Sequence, residues 1–227
     1  MQPVFPPQLN QISIRHVFHL QQHFPQEIVD QYVKKVNALE PDIMLYGGDI
    51  VEGFRSNGSL DKFESMLAGI HTKYGSYGVL GNHDSFGRRG QGSFFRESGI
   101  TLLRDSLVQI DSSFILAGRN DQQRNRKTVN EILGSASPAL PLILLDHRPT
   151  ELQETSLTPV DVQFSGHTHN GQLFPLNYIL HSIYELTWGY KKIRNTHFFV
   201  TSGLRLWGPP VKTAGKSEIM VVDIYFK

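Results

Sequence analysis

Ile28, Val29, Tyr32, Val33, Val36 and Leu39 recur at three- and four-residue intervals between positions 26 and 39, just behind Pro25. That spacing predicts a helix with one apolar face, and proline is tolerated where a helix starts. The period then changes. IMLY at 43–46 is a continuous apolar run closed by Gly47 and Gly48, which predicts a short buried strand ending in a loop at Asp49. The cycle repeats: Phe63, Met66, Leu67 and Ile70 predict a second helix, 77–80 a second strand, and Gly81 opens a second polar loop. ITLL at 100–103, LVQI at 107–110 and FILAG at 114–118 are short and separated by polar pairs, as in a meander, and a helix is expected over 129–133. LILL at 142–145 runs into Asp146, and VDVQF at 160–164 runs into Ser165 and Gly166. FFVTS at 198–202 and EIMVVDIYF at 218–226 are further strand-like runs. Alternating helices and strands predict an α/β fold. No repeat or linker divides the chain, so one domain over 1–227 is expected, with the region 1–25 atypical.

Composition narrows the partners. With 39% hydrophobic residues, 14 Phe and 8 Tyr, the chain has material for a sizeable core. Lys plus Arg number 22 against 21 for Asp plus Glu, so no broad field attracts nucleic acid, and an acidic ligand must be held locally. The absence of cysteine excludes a disulfide framework, a thiolate nucleophile and any metal site built on sulfur. The amino terminus lacks both a run of roughly 18 apolar residues and a leader pattern, so the chain as given reads as soluble, cytoplasmic or peripheral at a membrane. No Walker loop, GxGxxG or GxSxG occurs, and nucleotide folds and serine hydrolases lose support.

Chemistry is concentrated after the expected strands: GGD at 47–49, GNHD at 81–84, DHRP at 146–149 and GHTHNGQ at 166–172. Ligands of open α/β sheets bind outside the carboxyl ends of strands, so these loops are expected to meet. Adjacent glycines let the backbone approach a ligand closely. Asp49, Asn82, His83, His147, His167 and His169 bring a carboxylate, an amide and four imidazoles, a donor set that suits manganese, iron, zinc or nickel. Two such cations clamp a phosphoryl group and activate a water for in-line attack. His167 and His169, at i and i+2, point the same way if their loop is extended. Of the other histidines, His23, His71, His181 and His197 read as ordinary surface or structural residues.

GGD, GNHD, the DHRP histidine and GHTH, in this order, resemble the signature of the calcineurin-like metallophosphoesterase superfamily, and SGHTHNGQ with the later SGLRLWGPP resembles its YkuE/YaeI-like bacterial branch, whose members are membrane-associated or exported. The resemblance implies a four-layer β-sandwich flanked by helices and hydrolysis of a phosphomonoester or phosphodiester by metal-activated water. It assigns Asp49 as the bridge between two metals, Asn82, His147 and His167 to the second metal, and His169 to the first. His83 becomes phosphate contact and general acid, with Asp84 orienting it. Substrate phosphate would meet Asn82 and His83. In the basic run at 119–127, Arg119 is the best candidate for a further phosphate contact, though a solvated loop is the commoner use of such a run.

The family's opening Asp-x-His motif is absent before Gln26. Alignment without gaps puts its histidine on His19 and its aspartate on Val17; an alternative alignment uses His16 and Ile14. Either way an apolar residue replaces a charged ligand, which weakens or empties the first metal site. The chain is then an enzyme with an altered centre, or an impaired relative acting as a phosphate or phospholipid-binding module. Between 176 and 194, apolar and aromatic residues crowd beside Lys191, Lys192 and Arg194. A core helix plus hairpin is the commoner arrangement. The sharper alternative is a lid making peripheral membrane contact, with a lipid-linked phosphoester as substrate.

Overall fold

The computed structural model describes residues 11–17, 26–50, 59–86, 91–134, 139–204 and 211–225. From the amino end run β1 (Gln11–Val17), α1 (Gln26–Asn37), β2 (Ile43–Tyr46), α2 (Ser59–Leu67), β3 (Ser76–Gly78), α3 (Gln91–Glu97) and β4 (Ile100–Leu102). Then come β5 (Ser106–Ile110), β6 (Phe114–Gly118), α4 (Val129–Leu133), β7 (Leu142–Leu145), α5 (Leu152–Thr155) and β8 (Val162–Ser165). The chain finishes with α6 (Leu176–Ile183), β9 (Gly189–Ile193), β10 (Thr196–Val200) and β11 (Met220–Tyr225). The first sheet has the order β11-β1-β2-β3-β4 and the second β5-β6-β7-β8-β10-β9. In each sheet the site-bearing strands are parallel neighbours: β2 with β3, and β7 with β8.

Side-chain parity explains the layers. In β2, Met44 and Tyr46 pack with Val29, Tyr32 and Val36 of α1 and with Phe63 and Leu67 of α2, whereas Ile43 and Leu45 point between the sheets. In β7, Leu142 and Leu144 meet Val129, Ile132 and Leu133 of α4, while Ile143 and Leu145 join the same inter-sheet core. Strands covered on both faces read as unbroken apolar runs, which is why IMLY and LILL showed no alternation. The result is helix, sheet, sheet, helix: the expected four-layer α/β sandwich.

The strand expected at 77–80 is shorter, and Val79 and Leu80 are buried in the passage toward Gly81. β1, α3 and α5 had no counterpart in the hydrophobic pattern. The stretch expected to hold a core helix and a hairpin does pair β9 antiparallel to β10, but none of α6 is buried, so the helix is no part of the core. Among the described residues no helix is long and apolar enough to cross a membrane.

Phe164 of β8 is fully buried between the sheets and stacks on Phe199 at 5.4 Å between ring centroids. Phe164→Ala is expected to destabilise the protein by about 3–5 kcal/mol through lost burial and a residual cavity. Urea unfolding checks this, and a loss below about 1 kcal/mol would show that the inter-sheet core relaxes around the site.

Candidate metal centre

Four loops leave the carboxyl ends of these strands or just beyond them: 47–50 after β2, 81–84 after β3, 146–148 after β7 and 166–169 after β8. The two sheets meet through them. His147, fully buried, lies with Nδ1 2.8 Å from the Gly47 carbonyl. A carbonyl oxygen only accepts, so Nδ1 carries the hydrogen and Nε2 is turned to the opposite side. There Nε2 lies 3.1 Å from Asp49 Oδ2, 3.1 Å from Asn82 Oδ1 and 3.1 Å from His167 Nδ1. The ligand atoms of Asp49, His147 and His167 fall within 4.8 Å of one another.

Two glycines permit this approach. Gly48, at φ +96°, would carry a Cβ 2.8 Å from His147 Nδ1 and 2.5 Å from the Gly81 nitrogen. A Cβ on Gly81 would run into the Asp49 carboxylate. Asp84 then cross-links the loops: Oδ2 accepts from the Asp49 and Gly81 amides at 2.6 and 2.8 Å, and Oδ1 from Ile50 at 3.0 Å. The His83 amide returns a hydrogen bond to Asp49 Oδ1 at 2.7 Å. Asp84 thus clasps the backbone that aims Asp49.

The donor set fits a divalent cation. A buried carboxylate, an amide oxygen and two imidazole nitrogens converge on one point, and the Gly47 carbonyl fixes His147 in the tautomer that presents Nε2 as a ligand. Burial alone would depress the His147 imidazole, but Asp49, the Gly47 carbonyl and Asp121 outweigh it and hold the ring up at about 9. The same negative field that would retain a proton there attracts a cation.

His169 is buried, at φ +50°, but does not join the group formed by Asp49, His147 and His167. His83 is half-buried beside that group. His19 lies outside the described residues. Arg119 is not brought to the convergence point: its NH1 lies 2.7 Å from Glu151 and 3.3 Å from Asp146, and its Nε donates to the Lys127 carbonyl at 2.9 Å. A guanidinium so placed bridges two carboxylates, one of them the buried neighbour of His147 in sequence. Arg126 holds the same pair, at 3.3 Å from Asp146 and 2.9 Å from Glu151. Burial pushes the Asp146 carboxyl up to about 6 against the pull of the two arginines. On the other side of His147, Arg148 grips buried Asp121 at 2.7 and 3.1 Å. Motif reading missed this support; its one signal was the interleaving of Asp121 with Arg119, Arg124 and Arg126.

Fold and site together describe a two-sheet sandwich with a cluster of candidate metal ligands at its strand ends, and comparison with known proteins agrees. The family profile of calcineurin-like phosphoesterases matches residues 18–171. The chain belongs to that family. It is 32% identical over 204 residues to an uncharacterized metallophosphoesterase of Aquifex aeolicus, covering 86% of this chain and 77% of that protein. It is 29% identical over 216 residues to YkuE of Bacillus subtilis, covering 91% and 76% respectively. Against a Helicobacter pylori relative the chain spans 56% of the partner's length. Among solved structures, TT1561 of Thermus thermophilus shares the fold with a TM-score of 0.54 over 83% of this chain and 88% of that one, at 11% identity.

Gly81→Ala is expected to displace the Asp49 carboxylate and lower affinity for added manganese by roughly 10- to 100-fold, the range seen when the support of a ligand is lost. Calorimetric titration measures it, with exposed His71→Ala as the control. Unaltered affinity in Gly81→Ala would remove Asp49 from the metal site.

Proposed function

We propose that this chain is a metal-dependent phosphoesterase whose principal cation is held by Asp49, Asn82, His147 and His167. The observation that carries the proposal is the approach of Asp49 Oδ2, Asn82 Oδ1 and His167 Nδ1 to within 3.1 Å of His147 Nε2. When bound, a divalent cation supplies Lewis acidity toward a phosphoryl oxygen and a water of lowered pKa. Manganese, iron, zinc and nickel all suit these donors. The remaining work falls to the chain. Asn82 binds phosphate, and His83, on the same loop, gives a proton to the departing oxygen, a contribution of typically 10²–10⁴-fold. Asp84 keeps that loop registered against Asp49. His169, with His19, serves a first site that binds weakly. The substrate is a phosphoester, and a lipid-linked one fits the apolar surface beside His167.

One observation favours a second reading, a binding module with impaired turnover. β1 pairs with β2 in the register Val17 to Tyr46 and Ile14 to Ile43. Val17 therefore closes its strand where β2 empties into Gly47, whereas Ile14 is buried in the inter-sheet core. That register supports the alignment in which Val17 replaces the family's aspartate.

His167→Asn is expected to lose bound metal, and His83→Ala to keep it while hydrolysis of an aryl phosphodiester falls by roughly 10²–10⁴-fold. Elemental analysis paired with the assay distinguishes them. Parent protein inactive with manganese, iron, zinc and nickel alike would sink the hydrolase reading. In that event, activity gained by Val17→Asp would assign the deficit to the missing carboxylate.

A further inference from the structure

We propose that Arg148, braced by Asp121 and bordered by Tyr184, grips the non-bridging oxygens of a phosphoryl group at the candidate metal centre, a role that rests on the hydrolase reading. Arg148 follows His147 directly, in the loop that leaves β7. Its Nε and Nη2 donate to Asp121 Oδ2 and Oδ1 at 2.7 and 3.1 Å, a side-on fork that takes two of the five guanidinium N–H groups. The other three, on Nη1 and Nη2, form the end-on edge. Among the described residues no protein acceptor takes them. A second fork on that edge suits a phosphoryl group, whose paired oxygens match the planar guanidinium.

Its partners distinguish Arg148 from the other arginines near His147. Arg119 and Arg126 each bridge Asp146 and Glu151, and their side chains are 5% and 8% exposed. Arg148 meets one carboxylate and is 16% exposed. Burial would raise the Asp121 carboxyl, but the Arg148 hydrogen bond and the Gln123 amide hold it below the usual carboxylate range. It is therefore ionised and keeps the guanidinium fixed. The same carboxylate acts on the buried His147 ring, which places the fork beside the ligand group.

Tyr184 links the fork to a second ligand. Its ring meets the His167 ring edge-on, with centroids 6.3 Å apart. Burial raises its phenol, and the charges of Arg148 and Asp121 act on it in opposite directions. One tyrosine thus reaches from His167 to the fork, and its hydroxyl keeps a proton to donate. Polar contacts on either side hold it there. Thr168, between the two loop histidines, donates from Oγ1 to the Thr187 carbonyl at 2.5 Å, and Gln153 of α5 donates to Glu185 at 2.6 Å. Donors held in place before a ligand arrives lose little rotamer freedom on binding it.

Titration of inorganic phosphate into the manganese-loaded protein, followed by calorimetry, tests the proposal. Arg148→Gln is expected to weaken phosphate binding by roughly ten- to a hundredfold and to raise KM for an aryl phosphodiester, with metal content unchanged. Arg148→Lys should recover part of the loss, since an ammonium keeps the charge without the fork. Because Arg148→Gln strands buried Asp121, combining it with Asp121→Asn separates binding from support. The double variant should regain the parent's thermal midpoint and stay weak for phosphate. Phosphate affinity restored in the double variant, or unaltered in Arg148→Gln, would overturn the proposal, and so would a parent that binds no phosphate. Phosphate binding that depends on Arg148 in a parent without turnover would remove the hydrolase reading alone.

Discussion

The hydrogen bond from His147 Nδ1 to the Gly47 carbonyl, 2.8 Å long, joins the two sheets at the end where their polar loops meet. Gly47 follows β2 of one sheet and His147 follows β7 of the other, so the centre exists only if the sandwich closes. The same bond turns Nε2 toward Asp49, Asn82 and His167. One contact thus sets both the packing of the loops and the protonation pattern of a ligand. Glycine at 48 and 81 accompanies it: a Cβ at 48 would meet the Gly81 backbone and the His147 ring, and one at 81 would meet Asp49.

The surrounding backbone is strained, and the strain is held in place by identifiable partners. Asp49, His167 and His169 all sit at positive φ, between +50° and +66°. The left-handed region costs a non-glycine residue about 1–2 kcal/mol. Asp84 opposes this at Asp49 by accepting its amide, and the Gly166 amide bonds the His147 carbonyl at 3.0 Å, tying one histidine loop to the other. His147 is also bracketed in sequence by two buried ion pairs, Asp146 with Arg119 and Arg126, and Arg148 with Asp121. Such pairs add little net stability, yet removing one partner strands a buried charge. Their use here is geometric: neither neighbour of His147 is able to drift.

How much was legible in the sequence depended on whether a residue's environment was local. IMLY and LILL were readable as strands because both faces are covered, and the α1 stripe because only one face is. QISIRHV of β1 mixes polar with apolar positions, and its place is fixed by pairing with β11, about two hundred residues away. The metal-centre residues were readable because glycine-flanked loops carry their chemistry in consecutive positions. The ion pairs of Arg119 were not, since its carboxylate partners lie 27 and 32 residues downstream. α6 misled for a related reason: apolar spacing identifies a face, and only the neighbouring elements decide whether anything covers it.

The charge balance of the centre follows from the same geometry. Among the described residues, Asp49 is the carboxylate in the ligand group, while Asp84 is drawn onto backbone amides and Asp121 and Asp146 onto guanidinium groups. A single divalent cation would meet one full negative charge and several neutral donors. A second, about 3.5–4 Å from the first in two-metal sites, would add repulsion with no new carboxylate to offset it. Here the pairing of Val17 with Tyr46 keeps the strand end in position while the side chain is apolar. The apolar residue at this strand end leaves the convergence around His147 Nε2 intact.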